Sequence, residues 1–136
     1  MVTERVYQVR GLDIANMTII EGDTGLIIID PLTTTEVARA SLELYFEHRT
    51  KRPVVAVMYT HSHIDHYGGV KGVIDVADAA SDKVAVIAPD GFMEAIGGEN
   101  ILTGSPMSRR MQFQLGGLLA QGPRGQVDAG LGKTSA

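Results

Sequence analysis

The sequence contains no cysteine, so no disulfide can form and any metal site must use histidine and carboxylate side chains. It has no basic run, and its formal net charge is -4, which gives no electrostatic footprint for nucleic acid. No segment approaches the ~18 apolar residues of a transmembrane helix, and residues 1–7 lack the apolar run of a signal peptide. We therefore expect a neutral or anionic small-molecule substrate, no nucleic acid and no membrane span. The cellular compartment stays unknown.

The first third of the sequence predicts a β-meander followed by a helix. Residues 5–9, 17–20 and 26–29 are predicted as short strands, with a turn at residues 21–25. The threonines at positions 33–35 can cap a helix that runs to about Arg49. Apolar residues recur along one face of this helix, which is expected to pack on a sheet: Ala38, Leu42, Tyr45 and Phe46.

The middle of the sequence predicts two strands that are buried on both faces. Residues 54–59 and 84–88 are uninterrupted apolar runs, and residues 70–79 predict a weak helix between them. A short helix is predicted over residues 90–96, and Pro106 is predicted to start another.

The order of these elements predicts an α/β fold of the α+β kind, with residues 1–119 in one domain. Its 136 residues and 44% hydrophobic content suffice for a single core. Residues 120–136 are rich in glycine and nearly devoid of large apolar side chains, so they are predicted to be a loop or a loose tail.

A histidine-rich loop directly follows the strand at residues 54–59. Three of the four histidines and one aspartate lie within six residues: His61, His63, Asp65 and His66. Desolvating three imidazoles and a carboxylate side by side without a cation is expensive, whereas zinc accepts both ligand types. The spacing can aim His61 and His63 at one metal, and Asp65 and His66 at a second. Two metals about 3.5–4 Å apart can share a water, lower its pKa toward neutrality and polarise a substrate oxygen.

Asp65 is the candidate catalytic residue of this loop. Its carboxylate can ligate the second metal and accept a hydrogen bond from the shared hydroxide, orienting it for attack. The competing interpretation for a single residue of the loop is an ordinary exposed polar side chain, and for Asp65 a loop cap. The four residues together favour metal binding.

The pattern His-x-His-x-Asp-His, after an apolar strand and before Gly68-Gly69, resembles that of the metallo-β-lactamase superfamily. Further stretches look like the alkylsulfatase branch of that superfamily: residues 7–11, 16–18, 21–25, 29–32, 99–104, 107–110, 122–127 and 130–134. The resemblance implies the first half of an αββα sandwich. It also implies two zinc ions and hydrolysis of alkyl sulfate esters, such as dodecyl sulfate, to alcohol and sulfate.

The same resemblance implies that this chain carries only the N-terminal part of the enzyme. In that family the remaining metal ligands, acidic residues and one further histidine, come from segments downstream of the position that matches Ala136. With two ligands for each metal, the isolated chain is expected to bind zinc poorly, since zinc sites normally have at least three protein ligands. Uncovered strand edges and an apolar face would then favour a homo-oligomer or association with the missing C-terminal half.

Several other residues have side chains that metal, sulfate or alkyl-chain sites use. Glu99 is a conceivable substitute ligand, although the resemblance gives it a structural place, and His48 is interpreted as an ordinary residue near a helix end. The pair Arg109-Arg110 could hold a sulfate, but a solvated helix surface is the commoner use. Three methionines suggest either a surfactant-binding face or gap-filling in a core: Met93, Met107 and Met111.

Three functional hypotheses remain. The leading one is an alkylsulfatase-like zinc hydrolase, with the metal loop as above. A second is another hydrolase of the same superfamily that acts on a thioester, lactam or phosphodiester. A third is a non-catalytic fragment that folds or oligomerises with weak or no metal binding.

Overall fold

The computed structural model describes residues 1–129, and the predictions for residues 130–136 lie outside this part of the chain. The described chain is an α+β structure, as predicted. It contains five strands, β1 (Val6–Val9), β2 (Met17–Glu21), β3 (Leu26–Ile29), β4 (Val54–Met58) and β5 (Ala85–Ile87). Four α-helices accompany them: α1 (Thr35–His48), α2 (Val76–Ala80), α3 (Phe92–Ile96) and α4 (Gly104–Gln114).

The five strands form one mixed sheet in the order β1-β2-β3-β4-β5. The first three strands pair antiparallel, which confirms the predicted meander. β4 then pairs parallel with β3, and β5 pairs parallel with β4. The carboxyl ends of β3, β4 and β5 therefore meet at one edge of the sheet, where ligand sites of parallel sheets are formed.

Helix α1 crosses from β3 to β4 and covers one face of the sheet. The hydroxyl of Thr34 caps it by accepting a hydrogen bond from the amide of Val37 (3.3 Å). Its buried face confirms the predicted helical pattern: Ala38 and Tyr45 are buried, and Phe46 packs against the core. The fully buried strand residues Met17, Ile19, Leu26, Ile28 and Val57 supply the other side of this core.

The prediction that β4 and β5 are buried on both faces is wrong. Of the residues of β4 only Val57 is buried, and Met58 is 36% exposed. All three residues of β5 are exposed, including Val86 at 47% and Ile87 at 46%. An apolar run indicates that a strand is suited to burial. Within the described residues, however, helices cover only part of the sheet, so β4 and β5 stay largely exposed.

The second half of the described chain is built from short helical segments. The predicted weak helix at residues 70–79 is a 3₁₀ turn, Val70–Gly72, followed by α2. Helix α3 agrees with the predicted segment at residues 90–96, and a π-helical turn, Gly97–Leu102, continues it. Helix α4 begins two residues before Pro106. Within residues 1–129, no helix is long and apolar enough to cross a membrane.

Candidate metal centre

The histidine loop lies at the carboxyl end of β4, beside the residue that follows β3. Residues 61–63 lead into a short 3₁₀ turn, Ile64–His66. Tight packing against the β3–α1 connection sets the path of the loop as it leaves the site. A Cβ atom added at Gly69 would overlap the carbonyl oxygens of Pro31 and Thr34, and one added at Gly68 would overlap that of Thr33. The Gly-Gly pair is thus required by close approach of two backbones.

Asp30, which directly follows β3, connects to the loop through both of its carboxylate oxygens. Oδ1 accepts a hydrogen bond from the amide of Thr60 (2.9 Å), and Oδ2 accepts one from the Thr60 hydroxyl (2.7 Å). Oδ2 also lies 2.8 Å from Nδ1 of His66. Asp30 is 8% exposed, so these contacts are made in a largely desolvated setting. We therefore assign Asp30 as the residue that ties the carboxyl end of β3 to the loop.

These hydrogen bonds determine which ring nitrogens of His66 and His61 are free. A carboxylate can only accept, so Nδ1 of His66 must carry the proton, and the neutral ring has its lone pair on Nε2. Thr60 gives its one hydroxyl proton to Asp30, so its oxygen accepts from Nδ1 of His61 at 3.0 Å. The neutral ring of His61 likewise has its lone pair on Nε2. This is how carboxylates and hydroxyls behind metal-binding histidines set the ligating tautomer.

His66 stands between two carboxylates. Its Nε2 lies 3.2 Å from Oδ2 of Asp65, on the opposite side of the ring from Asp30. A neutral imidazole carries one N–H, so it can donate to only one of the two carboxylates. Two donor atoms bound to one tetrahedral zinc at about 2.1 Å lie about 3.4 Å apart, which is near the observed separation. The pair Asp65–His66 is therefore spaced like two ligands of one cation.

The three imidazoles of the loop are clustered. The ring centroid of His61 lies 4.1 Å from that of His66 and 4.6 Å from that of His63. Burial lowers the pKa of His61, and the neighbouring His66 and His63 lower it further. The neutral form that results is the form in which imidazole ligates a metal.

The donors fit a metal in part. Imidazole and carboxylate are suitable zinc ligands, and the free nitrogens of His61 and His66 are the ones that the network leaves unprotonated. Within residues 1–129, however, no group of three or more His, Asp or Glu side chains is arranged to hold a metal ion. The division of the loop into two half-sites of two ligands each stays a prediction, and each half-site falls short of the three protein ligands that zinc sites normally have.

A cleft of about 420 Å³ opens beside the loop. Its lining includes the polar residues His63, Asp65 and Glu99. Helix α4 contributes Met107, Arg110 and Met111, and Leu115 follows directly after the helix.

The other candidate residues for the site lie mostly at the surface. Met107 is 42% exposed, Met111 38% and Met93 73%, so the interpretation of these methionines as core gap-fillers is wrong. Arg109 and Arg110 are both exposed, and only Arg110 lines the cleft. His48 is exposed in the last turn of α1. Glu99 faces the loop, where its Oε2 accepts from the Ser62 hydroxyl at 2.8 Å.

Asp30 is the residue of this centre that sequence reasoning missed. An aspartate before proline, between a strand and a helix, is a common turn signal, and nothing local to it indicates a partner. The signal that could have found it is its place at the end of a strand that pairs parallel with β4. The carboxyl ends of neighbouring parallel strands meet, so Asp30 must lie beside the histidine loop.

Comparison with known proteins gives a consistent result. The family model for the metallo-beta-lactamase superfamily matches residues 10–133. An (R)-specific secondary-alkylsulfatase from Pseudomonas sp. is 61% identical over 99% of this chain, and an alkyl/aryl-sulfatase from Saccharomyces cerevisiae is 59% identical over 99%. The chain spans 20% and 21% of the lengths of these curated relatives, about a fifth.

Solved structures show the same relationship. The chain superposes on the stereoselective inverting sec-alkylsulfatase Pisa1 from Pseudomonas sp. with a TM-score of 0.88 and 60% identity. That match covers 98% of this chain and 21% of the other. A metallo-beta-lactamase from Hirschia baltica matches 71% of this chain with a TM-score of 0.53 and 17% identity, which shows a shared fold alone.

Proposed function

The chain belongs to the metallo-β-lactamase superfamily, and on that premise we propose that it is the N-terminal part of an alkylsulfatase-like hydrolase with a dinuclear zinc site. In this proposal His61 and His63 contribute to one metal, and Asp65 and His66 contribute to the other. The reaction is hydrolysis of an alkyl sulfate ester to alcohol and sulfate. Relatives at 53–61% identity, all named as alkylsulfatases or an alkyl/aryl-sulfatase, support this reaction class.

The observation that carries the proposal is the position of His66 between Asp30 and Asp65. Asp30 holds the Nδ1 proton of His66 at 2.8 Å, and the free Nε2 faces Oδ2 of Asp65 at 3.2 Å. An imidazole lone pair and a carboxylate oxygen repel each other unless a proton or a cation lies between them. A metal ion at this point would satisfy both groups.

The chemistry of the proposed site divides between the metals and the protein. Bound zinc supplies Lewis acidity and lowers the pKa of a water toward neutrality. Asp65 has a second carboxylate oxygen that can accept a hydrogen bond from the attacking water and orient it. Asp30 and Thr60 hold the imidazole rings in the ligating tautomers, so the site is prearranged before substrate enters.

The cleft beside the loop suits an alkyl sulfate. Met107, Met111 and Leu115 offer an apolar wall for an alkyl chain, and unbranched methionines adapt to chains of different shape. The guanidinium of Arg110 offers planar donors that match a sulfate group.

Two donors for each metal are too few for tight binding, so we propose that further ligands come from outside residues 1–129. The curated relatives are about five times as long as this chain, which leaves ample sequence for them. We also propose that other protein surface, from a second copy or from the rest of a longer chain, covers the exposed strand β5. Without these contributions, the third hypothesis describes the chain: it is a folded fragment with weak or no metal binding.

Metal analysis combined with a dodecyl sulfate hydrolysis assay tests the proposal. The wild-type chain, His61→Ala and the control His48→Ala are compared after dialysis against zinc. If this chain is sufficient for activity, we expect it to bind nearly two zinc ions and to release sulfate. Both properties should be lost in His61→Ala and retained in His48→Ala. Zinc binding that is identical in the two variants would contradict the role of the loop. Binding without turnover would support the loop and restrict activity to a longer protein.

A further inference from the structure

The π turn, Gly97–Leu102, makes two successive contacts with the histidine loop. Glu99 accepts a hydrogen bond from the Ser62 hydroxyl (2.8 Å), and the side-chain amide of Asn100 donates to the hydroxyl of Tyr67 (3.0 Å). Ser62 lies between His61 and His63, and Tyr67 directly follows His66. Single π-helical turns are rare and are frequently found at functional sites. The turn is therefore placed to hold the loop at Ser62 and at Tyr67.

The Tyr67 end of this contact is itself anchored. Tyr67 packs edge-on against Phe92 of α3, and Phe92 stacks on Tyr59 at the end of β4, with ring centroids 5.5 Å and 5.2 Å apart. The amide of Thr103 completes the turn by bonding to the carbonyl of Gly98, five residues back (3.2 Å). The π turn thus has a fixed base from which Glu99 reaches the loop.

The two oxygens of Glu99 have different neighbours. Oε2 is engaged by the buried Ser62, and Oε1 lies 3.8 Å from Nε2 of His63. The carboxylate therefore lies on the Nε2 side of the His63 ring. The 3.8 Å distance is longer than a hydrogen bond, but an anionic oxygen on that side favours electrostatically the tautomer with the proton on Nε2, which leaves the lone pair on Nδ1. Carboxylates behind metal-bound histidines commonly set the tautomer of the ring.

Direct metal ligation by Glu99 is the competing role, and the contacts disfavour it. One oxygen of Glu99 is already engaged by Ser62, which leaves only Oε1 for a metal. A solvated surface carboxylate is disfavoured as well, because its partner Ser62 is 7% exposed and has no other side-chain partner among the described hydrogen bonds.

We propose that Glu99 is a positioning residue for His63. Anchored by Ser62, its carboxylate holds His63 with Nε2 toward the π turn and leaves Nδ1 free to bind a metal. His61 and His66, held from behind by Thr60 and Asp30, present Nε2 instead. The inference rests on the proposed function for its metal, but the orientation of His63 is a property of the chain itself.

The test compares the wild-type chain with Glu99→Gln, Ser62→Ala and the matched control Glu94→Gln, an exposed glutamate on α3. Long-range ¹H–¹⁵N NMR of the imidazole rings in the metal-free chain reports which nitrogen of His63 carries the proton. Zinc affinity is then measured by competition with a chromophoric chelator, and urea unfolding monitors the fold.

In the wild type we expect His63 to be protonated on Nε2. Glu99→Gln should shift His63 toward a mixture of tautomers and weaken zinc binding about 10- to 100-fold, with an unchanged urea midpoint. Ser62→Ala should act in the same direction, and Glu94→Gln should change neither reading. If Glu99→Gln failed to fold, Ser62→Ala alone would decide the question by the same two readings.

Two results would overturn the inference. One is a His63 tautomer that is the same in wild type and Glu99→Gln. The other is weaker zinc binding with no tautomer change, which would make Glu99 a ligand. If the wild-type chain binds no zinc at all, the proposed function fails for this chain, and the metal-free NMR comparison still decides the role of Glu99.

Discussion

Nδ1 of His66 lies 2.8 Å from Oδ2 of Asp30, a residue 36 positions earlier in the chain. This contact joins the end of β3 to the loop after β4, and it fixes the tautomer of a proposed metal ligand. The same oxygen accepts from the Thr60 hydroxyl, whose own oxygen is paired with His61. One buried carboxylate thereby controls two of the three imidazoles.

Replacement of Asp30 by asparagine is expected to weaken zinc binding about 10- to 100-fold, the usual effect of losing a carboxylate behind a metal-bound histidine. An amide can also present N–H groups to Thr60 or His66, so unfolding free energy should fall by about 1–3 kcal/mol. Chelator competition and urea unfolding measure the two effects. Asp75→Asn is the control, because asparagine caps α2 as well as aspartate does. Unchanged zinc affinity in Asp30→Asn would argue against the Asp30–His66 pair.

Gly69→Ala is expected to lower the free energy of unfolding by about 1–3 kcal/mol or more, as overpacking does in a tight interior. The added Cβ would lie 2.6 Å from the carbonyl oxygen of Thr34 and 2.7 Å from Cβ of Ala38. Urea denaturation gives the difference. Gly97→Ala is the control, since it has a helical backbone and open space, and it should be neutral or stabilising by up to about 1 kcal/mol. Equal effects of the two substitutions would contradict the close packing of the loop.

The contacts of Glu21 predict a pH-dependent contribution to the free energy of unfolding. Hydrogen bonds from Arg49 (3.0 Å) and from the hydroxyl of Tyr45 (2.7 Å) lower the pKa of Glu21 below its ordinary 4.5. A carboxylate with a lowered pKa stabilises the folded state above its unfolded pKa, and the contribution disappears as pH falls through the folded value.

The stability difference between wild type and Glu21→Gln should therefore be full at pH 7 and should shrink steadily below about pH 4.5, the ordinary carboxyl range. Urea unfolding at pH 7, 5, 4 and 3 measures it. A stability difference that is constant over this range, or that grows as the pH falls, would mean that the ionised carboxylate does not stabilise the folded state. Glu36→Gln, on the first turn of α1, provides a reference glutamate on a different element.

The exposed apolar strand β5 predicts self-association of this chain when it is prepared alone. Met58, Val86 and Ile87 are 36–47% exposed at one edge of the sheet, and uncovered edges with apolar side chains pair readily. Sedimentation over a range of concentrations should show an oligomer.

Val86→Lys should raise the dissociation constant of that oligomer by about tenfold or more, which corresponds to roughly 1.4 kcal/mol. Val2→Lys, the same change at a residue 58% exposed beside the opposite edge strand, should have little effect. A wild-type chain that stays monomeric at all concentrations would contradict the prediction.

Local patterns predicted the meander, α1 and the candidate metal loop. Alternating or continuous apolar residues mark short strands, the Thr34 cap marks the start of α1, and the helical spacing of Ala38 and Tyr45 marks its buried face. The loop is recognisable because its four candidate ligands lie within six residues of the chain. The limit between residues 1–119 and 120–136 stays a prediction.

What the sequence by itself determined is therefore the identity and order of the donors, because a six-residue loop brings them together whatever surrounds it. Only the tertiary structure decided how they are held. Asp30 lies 36 positions before His66 and reaches the loop through parallel strand pairing. Glu99 lies 37 positions after Ser62 and reaches it from a π turn that no local pattern predicts. The tertiary structure likewise decided that β5 is exposed, because burial depends on which layer covers a strand and not on the strand's own residues.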